Sequence, residues 1–382
     1  MARPIRVLQV VQGMGRGGVE AWLMNVLRNI DRERFKFDFL VCTTQPCAYD
    51  KEIRDLGSRI LPCVPHSRAI RHLRDLKRIL IAEGPYDVVH AHTDNEAAGA
   101  TLRMAALARI PIRIAHVHSA PTKAKKRLRS YVYRIITDYW MRKYMTRGLG
   151  CSEVACAYLF GRRWTSDSRC AVLYYGLDWE GFREQADVSA IRKSLGLPRE
   201  GLVIGHVGRF VSPKNHNFWL EVARSVAASR HDSYFLLVGD GPLREPIQDK
   251  VRQWGLQDRF IFTGERPDVP SLLQAMDVFL FPSLCEGLGI ALIEAQAVGL
   301  PCVASDAVTV EATLIEPQVQ KLPLSAPADV WARTVLAVGQ RGHRNQLAGW
   351  NAVVRSRFSL THCLNRLAEV YQGEDTGGKR IL

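Results

Sequence analysis

The stretch that says most about the fold reads V-F-L-F-P-S-L-C-E-G-L-G-I-A-L-I-E-A, from Val278 to Ala295. Its four consecutive apolar residues, Val278–Phe281, are typical of a strand that is buried on both faces. A glycine-bearing loop follows, and the apolar positions of Ile290–Val298 then recur with the period of a helix. A strand, a loop and a helix in this order form half of a βαβ unit, so the segment predicts a parallel sheet.

The same alternation of strand and helix patterns extends on both sides of this segment, through the second half of the chain. The last part of the chain has helical patterns only. The further predicted strands are Leu202–Val207, Tyr234–Val238, Phe260–Thr263 and Cys302–Ala304, and the further predicted helices are Phe218–Ala228, Arg244–Trp254, Ser271–Met276, Ala328–Gly339, Asn345–Arg357 and Leu360–Tyr371.

The first half of the chain contains a second series of the same kind. Its predicted strands are Ile5–Val11, Phe37–Cys42, Tyr86–Ala91 and Ile112–Val117, and its predicted helices are Val19–Ile30, Arg68–Glu83 and Ala97–Ala108. Two series in 382 residues predict an α/β fold of two doubly wound parallel-sheet domains. We expect domains at 1–178 and 179–357 with a linker near Gly176–Asp187, and then a last segment, 358–382, made of one helix and a frayed tail.

The positive charge of the chain lies in its first half. The net charge is +14, and residues 1–178 carry 30 Lys+Arg against 16 Asp+Glu, whereas the rest is balanced. The densest segment, Lys123–Arg147, holds nine basic residues and one acid, with Tyr131, Tyr139 and Trp140 among them. This pattern predicts a basic amphipathic helix that suits an anionic membrane surface. A solvated helix face is the alternative, and no recognition motif supports nucleic-acid binding.

Cysteine usage and hydropathy exclude several classes of protein. The nine cysteines are scattered and contain no C-x-x-C, which excludes a disulfide-dense scaffold and speaks against a Cys-based zinc module. The N-terminal apolar stretch is too short for a signal peptide, and no stretch has the length of a transmembrane helix. We therefore expect a cytoplasmic protein that lies, at most, peripherally on the inner face of the cell membrane.

A glycine motif, G-M-G-R-G-G at Gly13–Gly18, follows the first strand and precedes the first helix. Glycines let a backbone approach a phosphate, and a helix N-terminus supplies N–H groups to it. An NAD site also needs an acidic residue at the end of the second strand, but Leu40–Thr44 contains none. The motif thus favours a general anion site over an NAD site, with a turn that serves packing alone as the alternative.

Two histidine pairs, His90/His92 and His116/His118, end two of the predicted strands. Open α/β sheets bind ligands at the carboxyl ends of their strands, and residues two apart on a strand face the same side. A metal site is conceivable, but no Asp, Glu or Cys set at ligand spacing accompanies the pairs. We favour polar groups that line a ligand site, with His90 and His116 as the best candidates for packed, hydrogen-bonded histidines.

Charged residues cluster after two strands of the second half. Arg209 and Lys214 lie in the loop after Leu202–Val207, where two cations suit a diphosphate. Glu286 lies in the loop after Val278–Phe281, and Glu294 lies eight residues further on, in the helix. Carboxylates accept hydrogen bonds from sugar hydroxyls, and the N–H groups of residues 287–290 offer an anion site. Surface salt bridges and a capping carboxylate are the alternatives.

Together these segments resemble the retaining glycosyltransferases of family 4, which have the GT-B fold. E-G-L-G-I-A-L-I-E, Glu286–Glu294, matches the E-x7-E motif of that family. G-G-V-E at Gly17–Glu20, V-G-R…K-N at Val207–Asn215, V-G-D-G-P at Val238–Pro242 and A-M-D-V-F-L-F-P-S at Ala275–Ser283 also match, in order. The resemblance covers nearly the whole chain and is closest to transferases of bacterial capsule and exopolysaccharide synthesis.

This resemblance implies a fold, a reaction and a set of sites. It implies two Rossmann-like domains facing a cleft, a nucleotide-diphosphate sugar donor with uridine as the favoured base, no cofactor, no essential metal, and a lipid-linked or oligosaccharide acceptor against the first domain. The last helix would cross back to that domain. The implied catalytic residues are His118, Arg209, Lys214 and Glu286, and the implied donor-binding residues are Gly17, Gly18, Arg209, Lys214, Gly264, Glu265, Arg266, Glu286, Gly287, Leu288, Gly289, Ile290 and Glu294.

One position departs from the family pattern. Many relatives read P-N-G-I-D before the linker, whereas this chain reads Tyr174-Tyr175-Gly176-Leu177-Asp178, which puts any ligand contact from position 175 in doubt. Three rival functions stay open: a sugar-nucleotide epimerase on the same fold, an NAD(P)-dependent oxidoreductase, and a basic adaptor without enzymatic activity. The missing acid after the second strand and the E-x7-E motif speak against the oxidoreductase.

Overall fold

The computed structural model describes residues 3–65, 68–92, 95–119, 128–340 and 345–374 of the chain. They belong to two compact units. Unit 1 comprises Met1–Leu177 and Leu360–Leu382, and unit 2 comprises Asp178–Ser359. The tail that we expected to fray lies outside the described residues from position 375 onward.

Unit 1 is built on a seven-stranded sheet in the order β3-β2-β1-β4-β5-β6-β7, and every pair of neighbouring strands is parallel. Its last helix follows unit 2 in the chain. The strands are β1 Ile5–Val11, β2 Phe35–Val41, β3 Arg59–Pro62, β4 Val88–Ala91, β5 Ile112–Val117, β6 Arg147–Gly150 and β7 Cys170–Val172; the helices are α1 Gly18–Asn29, α2 Asp50–Asp55, α3 Ala69–Ala82, α4 Asn95–Leu107, α5 Leu128–Tyr144, α6 Glu153–Phe160 and α15 Leu360–Gln372.

Unit 2 is built on a six-stranded sheet in the order β10-β9-β8-β11-β12-β13, again with parallel neighbours. The strands are β8 Leu202–Val207, β9 Ser233–Val238, β10 Phe260–Gly264, β11 Val278–Phe281, β12 Cys302–Ser305 and β13 Val319–Leu322; the helices are α7 Glu180–Arg183, α8 Val188–Ser194, α9 His216–Ser229, α10 Arg244–Gln253, α11 Val269–Gln274, α12 Ile290–Ala297, α13 Ala328–Gln340 and α14 Gln346–Val354.

Both sheets reverse their strand order beside their first strand. The order turns between β1 and β4 in unit 1 and between β8 and β11 in unit 2, so the loops after these strands border a crevice in each sheet. The prediction of two doubly wound, Rossmann-like parallel sheets is confirmed. The predicted number of strands was too low, because β3, β6, β7 and β13 are only three or four residues long and lie toward the edges of their sheets.

Large aromatic side chains fill the core of unit 2, where Trp219, Phe235 and Trp331 are fully buried in one cluster with apolar residues of β8 and β11. In unit 1, α4 and α5 pack so closely that a Cβ on Gly99 would collide with the carbonyl of Thr137. Among the helices that the structure describes, none combines the length and the hydrophobicity needed to cross a bilayer.

Candidate functional site

In unit 2, the loop after β8 is tied to the loop after β11. Asn215 adopts the left-handed conformation with φ at 56°, and its amide donates to the Pro282 carbonyl at 3.1 Å. A backbone bond from Leu284 N to Pro213 O at 2.8 Å closes the same two loops. The two loops that carry the predicted diphosphate and sugar residues are therefore held side by side at the switch point of the sheet.

An ion pair joins these two loops. Lys214 Nζ lies 2.7 Å from Glu286 Oε1, with 19% of the lysine and 11% of the glutamate side chain exposed. The ammonium also lies 4.9 Å from the centroid of the Phe281 ring, a cation–π contact. Removing one partner of such a shielded pair leaves the other charge without compensation, so the pair is sensitive to substitution.

The helix α12 begins directly after Glu286 and its glycines. Gly289 precedes the helix with φ at +88°, in the left-handed region that favours glycine. A Cβ there would also come within 3.2 Å of Val308. The chain can therefore turn sharply from the β11 loop into α12, which begins four residues after Glu286 and leaves N–H groups of its first turn without a partner inside the helix.

Glu294, one helical turn into α12, is a largely buried carboxylate. It makes no hydrogen bond to any residue that the structure describes, and burial raises its pKa to about 7, an effect that the nearby Lys214 only partly offsets. A carboxylate without a donor is costly to bury, so this group suits a ligand that brings hydroxyl donors. The Arg209 side chain is exposed and, within the described part of the chain, has no ion-pair partner.

The third predicted segment of unit 2 follows β10. Gly264 has φ at +72°, and its carbonyl accepts from Gly239 N at 2.8 Å. Glu265 and Arg266 are exposed, and the Arg266 guanidinium lies 2.6 Å from Asp268. The Gly264 carbonyl and the Arg266 side chain are therefore already engaged within the protein.

Behind the Lys214 loop lie polar groups that we did not predict. His206 and His216 are almost fully buried, with 0% and 1% exposed, and the Phe210 ring stacks on His216 at 4.2 Å. His206 Nε2, both ring nitrogens of His216 and the Ser283 hydroxyl have no partner among the described residues. Burial lowers the pKa of His216 to about 4. In the sequence, these two histidines stand in G-H-V-G, Gly205–Gly208, and in K-N-H, Lys214–His216. We predicted neither histidine as a site residue from the sequence.

In unit 1, the glycine motif leads into α1. Gly17 precedes the helix, and Gly18 is its first residue. One turn further on, the fully buried Trp22 packs edge-on against His116, with ring centroids 5.3 Å apart. Trp22 Nε1 donates to Cys363 Sγ of α15 at 3.4 Å. The glycine motif is thereby anchored to the strand ends that carry the histidines.

The four predicted histidines lie in one hydrogen-bonded group with residues from β1, from the segment after β7 and from α15. His92 Nδ1 lies 2.9 Å from His118 Nε2, and His90 Nε2 lies 3.0 Å from His116 Nδ1. Three more polar residues complete this network, which we call the histidine network: Gln9, Tyr175 and Tyr371. His90 and His116 are buried, as predicted, and His92 and His118 are partly exposed.

Comparisons with known proteins match each half of the chain to a glycosyltransferase model. The model of group 1 glycosyl transferases matches residues 187–338, and that of the glycosyl transferase 4-like domain matches residues 17–176. A putative glycosyltransferase of Bacillus subtilis, EpsF, is 36% identical over 344 residues, which cover 88% of either chain. The chain belongs to the family of glycosyltransferases that these two models describe.

Further relatives support the same assignment. The UDP-Gal:alpha-D-GlcNAc-diphosphoundecaprenol alpha-1,3-galactosyltransferase of Escherichia coli is 31% identical over 63% of this chain and 64% of its own length. Among solved structures, Anabaena HepE in complex with UDP and glucose aligns with a TM-score of 0.79 and 18% identity over 96% of this chain and 99% of its own. WaaG, of lipopolysaccharide biosynthesis, aligns at 0.75 and 16%, over 97% and 100%. The predicted GT-B fold is confirmed.

The predicted site residues of this glycosyltransferase fall into two sets. Lys214, Glu286, Glu294 and the start of α12 lie together in unit 2, with Arg209 on the same loop as Lys214. Gly17, Gly18 and His118 belong to unit 1. The hydrogen bonds of Gln9, Tyr175 and Tyr371 to these histidines were missed, because no sequence pattern links residues from β1, the segment after β7 and α15.

The histidine network of the glycosyltransferase is uncharged. Burial lowers the pKa of His118 to about 3 and holds those of His90, His92 and His116 well below the usual value. Burial also raises the pKa of Tyr175 and of Tyr371. All six rings are therefore neutral at pH 7.

Three of these imidazoles have a spacing that would also suit a metal ion. His90, His92 and His116 each offer a ring nitrogen, and these atoms lie within 4.8 Å of one another. However, both ring nitrogens of His90 and of His92 already have hydrogen-bond partners in the protein. A metal ion would have to displace these partners, and no carboxylate or thiolate belongs to the set.

Proposed function

We propose that this chain is a retaining, metal-independent glycosyltransferase that moves a sugar from a nucleotide-diphosphate sugar, with UDP as the favoured carrier, to a growing lipid-linked glycan. The product would be a bacterial exopolysaccharide or capsule. The single observation that carries the proposal is the Lys214–Glu286 pair at 2.7 Å, beside Glu294 and the start of α12. The E. coli relative, named for UDP-Gal and a diphosphoundecaprenol acceptor, supports the substrate classes.

In the proposed reaction, the residues of unit 2 stabilise the leaving group. The acceptor hydroxyl oxygen bonds to the anomeric carbon, the bond from that carbon to the diphosphate oxygen breaks, and the hydroxyl proton passes to the leaving phosphate. Lys214, Arg209 and the N–H groups at the start of α12 would hold the negative charge that develops on the diphosphate. Glu286 would accept hydrogen bonds from the sugar hydroxyls and Glu294 from the ribose.

Donor binding can be tested before any acceptor is known. We expect UDP to raise the melting temperature more than GDP, ADP or NAD do. A ligand that binds only the folded state stabilises the protein by about 2.7 kcal/mol at a hundredfold excess over Kd. A shift with NAD alone would contradict the proposal. The transfer itself is tested with labelled UDP-sugars and undecaprenyl-diphosphate acceptors, and conversion of the donor without any acceptor would support the epimerase instead.

We further propose that α5 places the enzyme on an anionic membrane. Its Ile135, Ile136 and Tyr139 side chains are 53%, 41% and 58% exposed, next to Arg142 and Lys143. Exposed apolar side chains flanked by cations are typical of helices that lie in the headgroup region. Residues 120–127, which carry the first part of the predicted basic segment Lys123–Arg147, lie outside the described residues.

Vesicle co-sedimentation tests the membrane proposal. We expect binding to vesicles with anionic lipid, weaker binding in high salt, and loss of binding in the double variant Ile135→Gln/Ile136→Gln. Ile81→Gln is the matched control, because Ile81 is 64% exposed on α3. Binding that ignores lipid charge and salt, or that Ile81→Gln weakens equally, would contradict the proposal.

A further inference from the structure

Gln9 is the centre of the histidine network. This fully buried side chain of β1 donates from Nε2 to the Tyr371 hydroxyl at 3.1 Å. On its other side, Oε1 lies 2.7 Å from His92 Nε2. An amide oxygen only accepts, so His92 must carry its proton on Nε2. The orientation of one amide thus determines a histidine tautomer.

The first arm of the network runs from His92 to Tyr175. Because neutral His92 has its only ring proton on Nε2, its Nδ1 accepts, and the donor is His118 Nε2 at 2.9 Å. His118 Nδ1 is then an acceptor as well, and it faces the Tyr175 hydroxyl at 2.5 Å. The direction of every bond in this arm follows from the Gln9 amide.

The second arm runs through α15. The Tyr371 hydroxyl accepts from Gln9 and therefore donates to His90 Nδ1 at 2.9 Å. His90 Nε2 in turn donates to His116 Nδ1 at 3.0 Å. His116 Nε2, the end of the arm, is buried and has no partner among the described residues. Both arms therefore start at the Gln9 amide, whose Nε2 is bonded to the Tyr371 hydroxyl.

Within the first arm His118 is partly exposed, whereas Tyr175, the last residue of the arm, is buried. The tyrosine hydroxyl donates to His118 Nδ1, and a sugar hydroxyl donates in the same way. A sugar can therefore bind this nitrogen only by taking the place of the Tyr175 hydroxyl.

We propose that Gln9, His92 and Tyr371 are positioning residues that keep the proton of His118 on Nε2, so that Nδ1 is presented as a hydrogen-bond acceptor to a sugar hydroxyl. In the free enzyme, the Tyr175 hydroxyl occupies that acceptor. None of the three positioning residues needs to touch the substrate, since they act through the tautomer and ring orientation of His118. The role of His118 toward a sugar rests on the proposed function, whereas its tautomer does not.

The tautomer can be read directly by NMR. Long-range ¹H–¹⁵N spectra of histidine-labelled protein report which ring nitrogen carries the proton, and the His118 signal is the one lost in His118→Asn. We expect the wild type to show neutral His118 with the proton on Nε2. A proton on Nδ1 would overturn the proposal.

Tyr371→Phe is the decisive variant, because it removes only the hydroxyl that holds Gln9. We expect His118 to show both tautomers and kcat to fall about fivefold with donor KM within about twofold, the effect of one lost buried hydrogen bond. Tyr86→Phe is the matched control. Its hydroxyl, on a side chain with 4% exposed, donates to Asp38 at 3.0 Å in the same unit but outside the network.

Two further outcomes decide the proposal. Tyr175→Phe should leave the proton on Nε2, because the direction of the arm is determined at Gln9. A tautomer that responds to Tyr175→Phe but not to Tyr371→Phe would overturn the assignment, as would a loss of kcat in Tyr371→Phe with an unchanged His118 signal. If the wild type transfers no sugar, the proposed function fails, while the spectra still test the network.

Discussion

The polar cluster of unit 1 contains four imidazoles, two phenols and an amide without a formal charge, whereas the cluster of unit 2 contains Lys214, Glu286 and Glu294. In the histidine network of unit 1, His116 Nε2 is the one imidazole nitrogen that has no partner among the described residues. In unit 2, Glu294 and Arg209 have no partner within the described residues. In the structure, the cluster of unit 1 satisfies nearly all of its own hydrogen bonds, whereas the cluster of unit 2 leaves two charged side chains without a partner among the described residues.

This difference determines how each cluster responds to its surroundings. A neutral hydrogen-bonded network depends on tautomers and tolerates salt, but it fails when a proton is added to a buried ring. In a charged cluster each charge is balanced by a neighbouring opposite charge. Deleting one charge therefore destabilises the other strongly, and a charged ligand can supply the missing partner. The four predictions below test this contrast, from the largest expected effect to the smallest.

The largest effect should be the acid sensitivity of unit 1. The pKa values of His90, His92, His116 and His118 are lowered by burial, so the stability they confer is full above about pH 6.5 and is lost as the pH falls. Between pH 7.5 and 5.5 we expect a loss of about 4 kcal/mol in unit 1. Hydrogen exchange of β4 and β5, corrected for the intrinsic rate, measures it. Unchanged protection of both strands at pH 5.5 would refute the neutral network.

The second effect concerns the ion pair of unit 2. Lys214→Met keeps the length of the side chain but leaves Glu286, whose side chain is 11% exposed, without its cation. We expect the Kd for UDP to rise about 100-fold, in line with the loss of one partner of a shielded charge pair. Lys250→Met is the control, since Lys250 is an exposed lysine of the same unit whose ammonium donates to Asn217. Calorimetric titration that gives equal Kd values for both variants would remove Lys214 from the donor site.

The third effect separates Glu294 from the histidines. Burial raises its pKa to about 7, so the protonated form is favoured in the folded state, and the stability it confers is lost as the pH rises from about 4.5 through 7. Between pH 5 and 8, the unfolding free energy of the wild type should therefore fall. We expect that of Glu294→Gln to fall by about 2 kcal/mol less. His206 and His216 titrate in the opposite sense and are present in both proteins, so urea unfolding of wild type and variant isolates Glu294. Parallel pH profiles would show that Glu294 is ionised at neutral pH.

Strands were predicted correctly where neighbouring residues in the sequence carry the pattern, and they were missed where the pattern depends on distant residues. β1, β5, β8 and β11 have the predicted bounds, because apolar residues predominate in strands that are buried on both faces. β6, with the sequence R-G-L-G, and β13, with V-Q-K-L, have no such run and were missed. Their strand conformation is set by pairing with a neighbour that the local sequence does not identify.

The candidate sites divide in the same way. Lys214, Glu286 and Glu294 could be predicted because they lie in loops and a helix start with a recognisable spacing. The histidine network could not, because its bonds join residues as far apart as Gln9 and Tyr371, which are 362 positions apart. Its four histidines were visible as strand ends, but the amide and the two hydroxyls that orient them become apparent only once the sheet and α15 are assembled.

The smallest effect tests whether the charged cluster extends to the segment after β10. The Arg266 guanidinium lies 2.6 Å from Asp268, and 39% and 40% of the two side chains are exposed. Because exposed pairs of this kind contribute about 0–1 kcal/mol, we expect Arg266→Ala to raise the Kd for UDP by less than about threefold. Gly264→Val should weaken binding more, because its φ of +72° strains any side chain with a Cβ. If titration ranked the two variants in the reverse order, the side chain of Arg266 and not the backbone around Gly264 would contact the base, and the charged cluster of unit 2 would reach beyond the two loops that Asn215 ties together.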